Sequence, residues 1–247
     1  GTLAFTQNST GTTTLSGSNT YTGGTTISGG TLSIATGGSS GSNLSTGAVT
    51  IGGGTLAISA SNTIGNNITL SAGANEIAAA SSITATLSGI LSGSGTGALV
   101  VGDSTNNGTI IFSNGSNTYT GGTTITAGTL SVGADSNLGG SGAINLNGGT
   151  LKITSGAAFS TARAINVLAS STINNSDSSG ITFTGNVLST AATGTQTLSI
   201  TGGNNSTTFS TGVISNGVSG GTLAFTQNTT GTTTLSGSNT YTGGTTI

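Results

Sequence analysis

The side chains that could do chemistry are few in this 247-residue sequence. Its six charged residues are Glu76, Asp103, Asp135, Asp177, Lys152 and Arg163. A glycosidase needs two carboxylates about 5–10 Å apart, whereas the residue numbers of successive carboxylates here differ by 27, 32 and 42. In a coiled chain these spacings put a turn or more between the members of each pair. Asp103 and Asp177 would lie roughly 15 Å apart along the axis.

Histidine and cysteine, the usual general base and nucleophile, do not occur in the sequence. The sequence therefore predicts that this protein is not an enzyme and has no catalytic, cofactor-binding or metal-binding residues. Asp103, in VVGDSTNNG, is typical of a turn and lacks the nonapeptide period of calcium-binding rolls. We expect all six charged side chains to lie at exposed surface or loop positions.

The charge and hydropathy pattern restricts the partners. A net charge of −2 with two basic residues does not suit nucleic acid, which is bound through many Lys and Arg contacts to phosphates. No apolar run approaches the roughly 20 residues of a membrane helix, so no membrane span is predicted in this segment. Hydrophobic residues make up 32% and proline is missing. Short alternating runs of Val, Ile, Leu, Phe and Thr favour ordered strands over disorder.

One motif, GSNTYTGGTTI, occurs three times, at residues 17–27, 115–125 and 237–247. A longer repeat surrounds it: residues 221–247 copy residues 1–27, and the one difference is Ser9 against Thr229. Residues 1–220 are thus one repeat unit, with sub-repeats starting near 17 and 115, and residues 221–247 begin the next unit. We expect residues 1–247 to form a single continuous domain, cut from a tandem array.

A second signature, Gly-Thr-Leu after a turn rich in glycine, marks the period of the coil. Its threonines are Thr2, Thr31, Thr55, Thr129, Thr150 and Thr222, whose successive residue numbers differ by 29, 24, 74, 21 and 72. Each signature predicts a strand, a corner and a second strand. The two long differences, 74 and 72 residues, are close to three times 24. This predicts an all-β fold, a parallel β-helix or β-solenoid, with roughly 21–25 residues per rung. The bias of parallel crossovers predicts a right-handed coil. The gap of 29 would carry an extra loop.

The motif residues are predicted to be structural. Asn is favoured in turns, the Gly pairs suit sharp corners, and the apolar residues face the interior. An alternative reading of the three tyrosines is a platform for sugars, repeated along a rod. The residues are Asn19, Tyr21, Gly23, Gly24, Ile27 and Leu32 in the first copy, Asn117, Tyr119, Gly121, Gly122, Ile125 and Leu130 in the second, and Asn239, Tyr241, Gly243 and Gly244 in the third.

GSNTYTGGTTI followed by GGTLSI or AGTLSV resembles the autotransporter-associated β-strand repeat, also called the passenger-associated transport repeat. The similarity is close over residues 17–34 and 115–132, and residues 237–247 agree with it. The resemblance implies a right-handed parallel β-helix, export through the outer membrane of Gram-negative bacteria, and roles in adhesion, aggregation and surface display.

Two functions remain open. In the first, the chain is a structural repeat of an extracellular filament, cell-surface fibre or biofilm matrix, whose partners are identical units stacked end to end in one chain or as a homopolymer. In the second, it is the stalk of an adhesin that presents a binding tip. A cell-surface or glycan ligand is an open alternative. Ice binding is disfavoured because pairs such as Thr12/Thr14 are not seen to recur once per rung.

Overall fold

The protein is a parallel β-solenoid of about ten turns, with about 23 residues per turn. The computed structural model describes residues 2–34, 42–93 and 97–247. Every strand pair among these residues is parallel, and each strand pairs with a strand of the turn before, of the turn after, or of both. The predicted fold class is therefore confirmed.

Twenty-eight short strands build the coil in the described residues. The first fourteen are β1 (Phe5–Gln7), β2 (Thr12–Leu15), β3 (Thr25–Ile27), β4 (Thr31–Ile34), β5 (Val49–Ile51), β6 (Thr55–Ile58), β7 (Asn62–Ile64), β8 (Ile68–Leu70), β9 (Asn75–Ala79), β10 (Thr84–Leu87), β11 (Leu91–Ser92), β12 (Leu99–Val101), β13 (Thr109–Phe112) and β14 (Thr123–Ile125). The others are β15 (Thr129–Val132), β16 (Ile144–Asn147), β17 (Thr150–Ile153), β18 (Phe159–Thr161), β19 (Ile165–Ala169), β20 (Ser171–Asn175), β21 (Ile181–Phe183), β22 (Val187–Ser189), β23 (Thr195–Gly202), β24 (Thr207–Phe209), β25 (Ile214–Ser215), β26 (Thr222–Asn228), β27 (Thr233–Leu235) and β28 (Thr245–Thr246). Two 3₁₀ turns, Ser42–Leu44 and Asp135–Leu138, lie at corners.

The strands form three faces, which the chain visits in the order I, II, III on each turn. Face I starts as β1-β3-β5-β8-β11 and resumes as β18-β21-β24-β27. Between these two sheets the same side continues without strands, since the Thr118 N–H donates to the Leu91 carbonyl (2.8 Å) and the Gly140 N–H to the Tyr119 carbonyl (3.0 Å). Face II is β2-β4-β6-β9-β12-β14-β16-β19-β22-β25, and face III is β7-β10-β13-β15-β17-β20-β23-β26-β28.

The turns vary in length more than the sequence predicts. Thr12 pairs with Thr31 in a short turn, where the residue numbers differ by 19. Thr172 pairs with Ser199 in a long one, where they differ by 27. The predicted range of 21–25 residues per turn therefore covers the middle of the observed range, 19–27. Strand lengths also vary, from two residues in β28 to eight in β23, both on face III.

The interior is a stack of apolar columns, because alternate side chains of each strand point inward. On face III, Leu130 lies between Ile110 and Leu151, and all three are buried. Ile27, Leu32 and Ile125 are fully buried in the same way. Outward positions carry mostly Thr, Ser and Asn, so each rung contributes apolar residues inside and hydrogen-bonding residues outside.

The Gly-Thr-Leu signature marks a corner, and different copies mark different corners. Thr31 and Thr55 start strands of face II, whereas Thr129, Thr150 and Thr222 start strands of face III. The extra loop expected in the gap between Thr2 and Thr31 is thus wrong: Thr2 precedes a face I strand, and Thr31 lies one corner further round the coil.

Candidate functional site

The asparagine of the repeated motif joins successive turns. The Asn117 Oδ1 accepts a hydrogen bond from the Leu91 N–H of the turn before (2.8 Å), and its Nδ2 donates to the Asn137 carbonyl of the turn after (2.7 Å). The Asn19 Nδ2 donates in the same way to the Asn43 carbonyl (2.7 Å), and the Asn239 Oδ1 accepts from the Ile214 N–H (3.0 Å). These amides take up backbone groups at a corner where the strand ladder is interrupted.

Asn43 and Asn137 form the other half of this contact, and the sequence reasoning missed them. Both are buried in the 3₁₀ turns, and the Asn137 Oδ1 accepts from the N–H groups of Gly133 (2.9 Å) and Ala134 (2.8 Å). The sequence pattern that could have identified them is Ser-Asn-Leu, which follows the Gly-Thr-Leu-Ser strand at residues 42–44 and again at 136–138.

Each motif tyrosine is fixed by the threonine four residues after it. The hydroxyl groups of Tyr21 and Tyr119 lie 2.7 Å from those of Thr25 and Thr123, and the third copy repeats the contact at 2.6 Å. Tyr119 is fully buried, and burial raises its pKa to about 12. Its ring therefore offers no open face to a sugar, whereas Tyr21 and Tyr241 are half-buried.

The glycine pair of the motif lets neighbouring turns approach closely. A Cβ on Gly23, Gly121 or Gly243 would lie 2.4–2.8 Å from a backbone oxygen of the preceding turn. The second glycine adopts the left-handed region, with φ of +77° at Gly122, which glycine reaches without steric cost. The pair combines a close contact with a sharp corner in two residues.

The structure brings together two carboxylates that the sequence spacing seemed to separate. Glu76, on β9 of face II, lies close to Asp103, in the corner after β12 on the next turn. Burial raises the pKa of Glu76, and the nearby Asp103 raises it further, while the Thr55 hydroxyl (2.8 Å from Oε2) opposes the shift. The 27 residues between them amount to one turn, and adjacent turns are only about 4.8 Å apart.

The pKa of Asp103 is shifted in the opposite direction. Burial alone would raise the pKa of Asp103, but hydrogen bonds from the Asn106 side chain (2.8 Å) and from the N–H groups of Asn106 (2.7 Å) and Thr105 (2.6 Å) hold it below its ordinary value. Asp103 therefore ionises more readily than Glu76. The turn predicted at Asp103 exists, and its hydrogen bonds favour the ionised form of this acid.

Replacing Glu76 by Gln is expected to stabilise the protein at pH 7. The raised pKa means that the folded state favours protonated Glu76. The stabilisation of the folded state that results is present at low pH, and it is lost as the pH rises from 4.5, the ordinary pKa of Glu, through the raised pKa. Gln can still accept a hydrogen bond from Thr55 and carries no charge at any pH. Because Glu76 is half-buried and solvent screens its charge, we expect Tm to rise by less than about 2 °C at pH 7.

The control is the pH dependence of the same variant, measured by thermal melting. At pH 4 wild type and Glu76→Gln should melt together. Asp103→Asn should lower Tm at pH 7, because it removes the ionised acceptor of three hydrogen bonds. A gain for Glu76→Gln that is equal at pH 4 and pH 7 would contradict a raised pKa of Glu76 as its cause.

Arg163 and Asp177 lie at corners, which are among the loop positions expected for charged residues, but both side chains are buried there. The Arg163 side chain is 9% exposed, and its Nε donates to Asp135 Oδ1 (2.7 Å) while Nη2 donates to the Gly139 carbonyl (2.7 Å). Asp177 is fully buried, and its Oδ1 accepts from the Ser179 N–H (2.6 Å). Corners stack on corners in a solenoid, so a polar corner residue is covered by its neighbours. Lys152 lies on the outer side of face III, as expected.

The described residues contain no cluster of three or more His, Cys, Asp or Glu side chains that could hold a metal ion. No helix within the described ranges is long and apolar enough to cross a membrane.

The junction at residue 220/221 shows how one unit meets the next. Leu3 is 71% exposed, but its copy Leu223 is fully buried against the preceding unit. The ring of Phe225, the copy of Phe5, lies 5.7 Å from that of Phe209 across the junction. Seven residues of β23 pair with seven of β26, the longest ladder among the described strands. The junction is therefore as continuous as the interior of a unit.

Comparison with known families gives one match. Residues 5–34, 105–132 and 225–247 match the passenger-associated-transport-repeat family. No curated protein and no solved structure matches the chain. The three matched segments each contain one copy of the motif with its asparagine, tyrosine and glycine pair.

Proposed function

Because this chain is built on passenger-associated transport repeats, we propose that it is a structural segment of an exported passenger at the bacterial cell surface. In this proposal the units, each equivalent to residues 1–220, continue end to end into a stiff β-solenoid filament. The partners of each unit are identical units, and the role is mechanical rather than enzymatic. The continuous junction at residue 220/221, where Leu223 is fully buried and β23 pairs with β26 along seven residues, is the observation that carries the proposal.

The energetics of the junction support end-to-end growth. Moving a leucine from exposed to fully buried contributes roughly 1.5–3 kcal/mol. The aromatic contact of Phe225 with Phe209 adds about 0.5–1.5 kcal/mol. The seven-residue ladder satisfies backbone groups that an open sheet edge would offer to water or to another chain. Each added unit thus gains a rung interface equal to those within a unit.

The two copies of one leucine provide a direct test. Leu223→Asp should destabilise the single chain by several kcal/mol, since it buries an unpaired charge at the junction. Leu3→Asp should leave the melting of the single chain almost unchanged, because Leu3 is exposed there. If units add end to end, the first turn of one purified chain stacks on the last turn of another. Leu3→Asp should then abolish assembly, measured by light scattering and electron microscopy. Assembly of Leu3→Asp at the wild-type rate would contradict the proposal.

The second candidate is the stalk of an adhesin, and the passenger repeat itself favours it. A stalk uses the same rod, but its binding function lies in a tip elsewhere in the protein. The two candidates differ in the native particle: a stalk has a fixed length and one distinct end, whereas a filament grows by repeating the junction at residue 220/221.

A further inference from the structure

The three copies of the repeated motif lie on three different sides of the rod. The Thr-Thr-Ile segment that ends the motif forms β3 on face I in the first copy and β14 on face II in the second. In the third copy it ends in β28, on face III. Each copy has therefore moved one face onward in the winding direction, although all three keep the tyrosine contact. The second copy shares one asparagine contact with the first and the other with the third.

The long repeat shows the same shift. β1 pairs with β3 on face I, and its copy β26 pairs with β28 on face III. β2 lies on face II, and its copy β27 lies on face I above β24. The internal pairing is preserved, since Phe5 pairs with Thr25 and Phe225 with Thr245. Sequence-identical segments thus adopt the same local structure one face apart.

The copies shift to another face because a unit does not contain a whole number of turns. From β1 on face I to β26 on face III the chain completes nine turns and two thirds of another, so that one unit makes about 9⅔ turns. This agrees with the mean of about 23 residues per turn. A spacing of about 4.8 Å per turn gives each unit a length of about 46 Å.

We propose that successive units join with a rotation of about one third of a turn, so that the array is a screw which returns to the same face after three units. The proposal rests on the end-to-end continuation of units proposed above. The interaction surface is the last turn of one unit, formed by β23, β24 and β25. Its occupant is the first turn of an identical unit, seated as residues 221–247 are seated here.

The rotation has a consequence for what the rod displays. A unit of whole turns would place every copy of a surface feature in one line along one side. With the one-third rotation, a feature that occurs once per unit appears on all three sides within about 140 Å. The half-buried Tyr21 and Tyr241 corners already illustrate this, because they are copies of each other on different sides. A filament built in this way has no preferred side for lateral contacts.

Cysteine pairs in the full chain test the rotation, since the natural sequence has no cysteine. Thr208 and Thr234 are partners in the ladder between β24 and β27 and both point outward. Adjacent rungs bring Cα atoms within the range of a disulfide. We expect Thr208→Cys/Thr234→Cys to form an intramolecular disulfide on mild oxidation. Ser215→Cys/Thr234→Cys should not, although β27 would lie over β25 if the unit had a whole number of turns.

The matched control is Thr14→Cys/Ser33→Cys, because Thr14 is the copy of Thr234 and pairs with Ser33 on face II. This pair confirms that the oxidation conditions close a ladder pair in the folded chain. Closure of the 215/234 pair, or failure of the 208/234 pair under conditions that close 14/33, would overturn the rotation. The readout is within a single chain, so it is independent of assembly. Failure of the filament proposal would be seen separately, because the Leu3→Asp chain would then assemble like wild type.

Discussion

Leu130→Asp is expected to break the solenoid at its middle turns. Leu130 is fully buried on β15, where it lies between Ile110 and Leu151 of the neighbouring turns. The substitution removes the apolar contacts of a core leucine, about 2–5 kcal/mol, and places an unpaired carboxylate in the interior. We expect a total loss above ~5 kcal/mol, which only a few kinds of substitution reach.

The measurement is a thermal melt together with hydrogen exchange of the strands around residue 130. Because each turn contacts only its neighbours, exchange should rise first in β13, β15 and β17. The matched control is Thr129→Asp, one residue earlier on the outer side of the same strand. It should change stability by less than about 1 kcal/mol. If Leu130→Asp melted like wild type, the assignment of the inner face would be wrong.

Gly121→Ala is expected to have the second largest effect, although it adds one methyl group. The new Cβ would lie 2.4 Å from the Gly97 carbonyl oxygen and 2.8 Å from the Ala98 nitrogen. Both are backbone atoms of the preceding turn, so relief requires the two turns to separate. We expect a loss of about 3 kcal/mol, at the upper end for overpacked positions.

Gly156→Ala is the control for Gly121→Ala. No atom lies within 4 Å of a Cβ at Gly156, and its backbone is not in the left-handed region. There we expect no loss, or a gain of about 0.4–1 kcal/mol from the stiffer unfolded chain. Equal unfolding midpoints of the two variants in urea titrations would contradict the close approach of turns at the glycine pair.

The β-solenoid could be predicted because its evidence is local and repeated. Alternation of apolar residues in strands such as Thr129–Val132 and Thr150–Ile153 fixes the inner side, and glycine-rich corners separate the strands. The period follows from the spacing of these corners. The passenger repeat could be identified in the same way, since one motif fixes asparagine, tyrosine and glycine positions together.

The face on which each motif lies could not be predicted, because every corner of the coil is chemically alike. Gly-Thr-Leu at Thr31 and at Thr129 describes the same turn into a strand, although the first leads to face II and the second to face III. Only the sum of all turn lengths decides the face, and those lengths are unequal along the coil. A small error in the mean period, multiplied over nearly ten turns, moves a strand to another side.

The contacts between charged and polar corner residues were missed for a related reason. The separation of Glu76 and Asp103 along the chain reads as distant in most folds. In a solenoid that separation is one turn, the shortest distance between two corners. Asp177 and Arg163 were expected at exposed or loop positions; they lie in corners, and the stacking of corners buries them.

Cryo-electron microscopy of the assembled protein tests the central claim most directly. If units continue end to end, the filaments should be unbranched threads with a layer line near 4.8 Å and an axial repeat of about 46 Å. Successive repeats should be related by a rotation of about one third of a turn. Discrete rods of fixed length with a distinct knob at one end would contradict the filament and place the function in the knob.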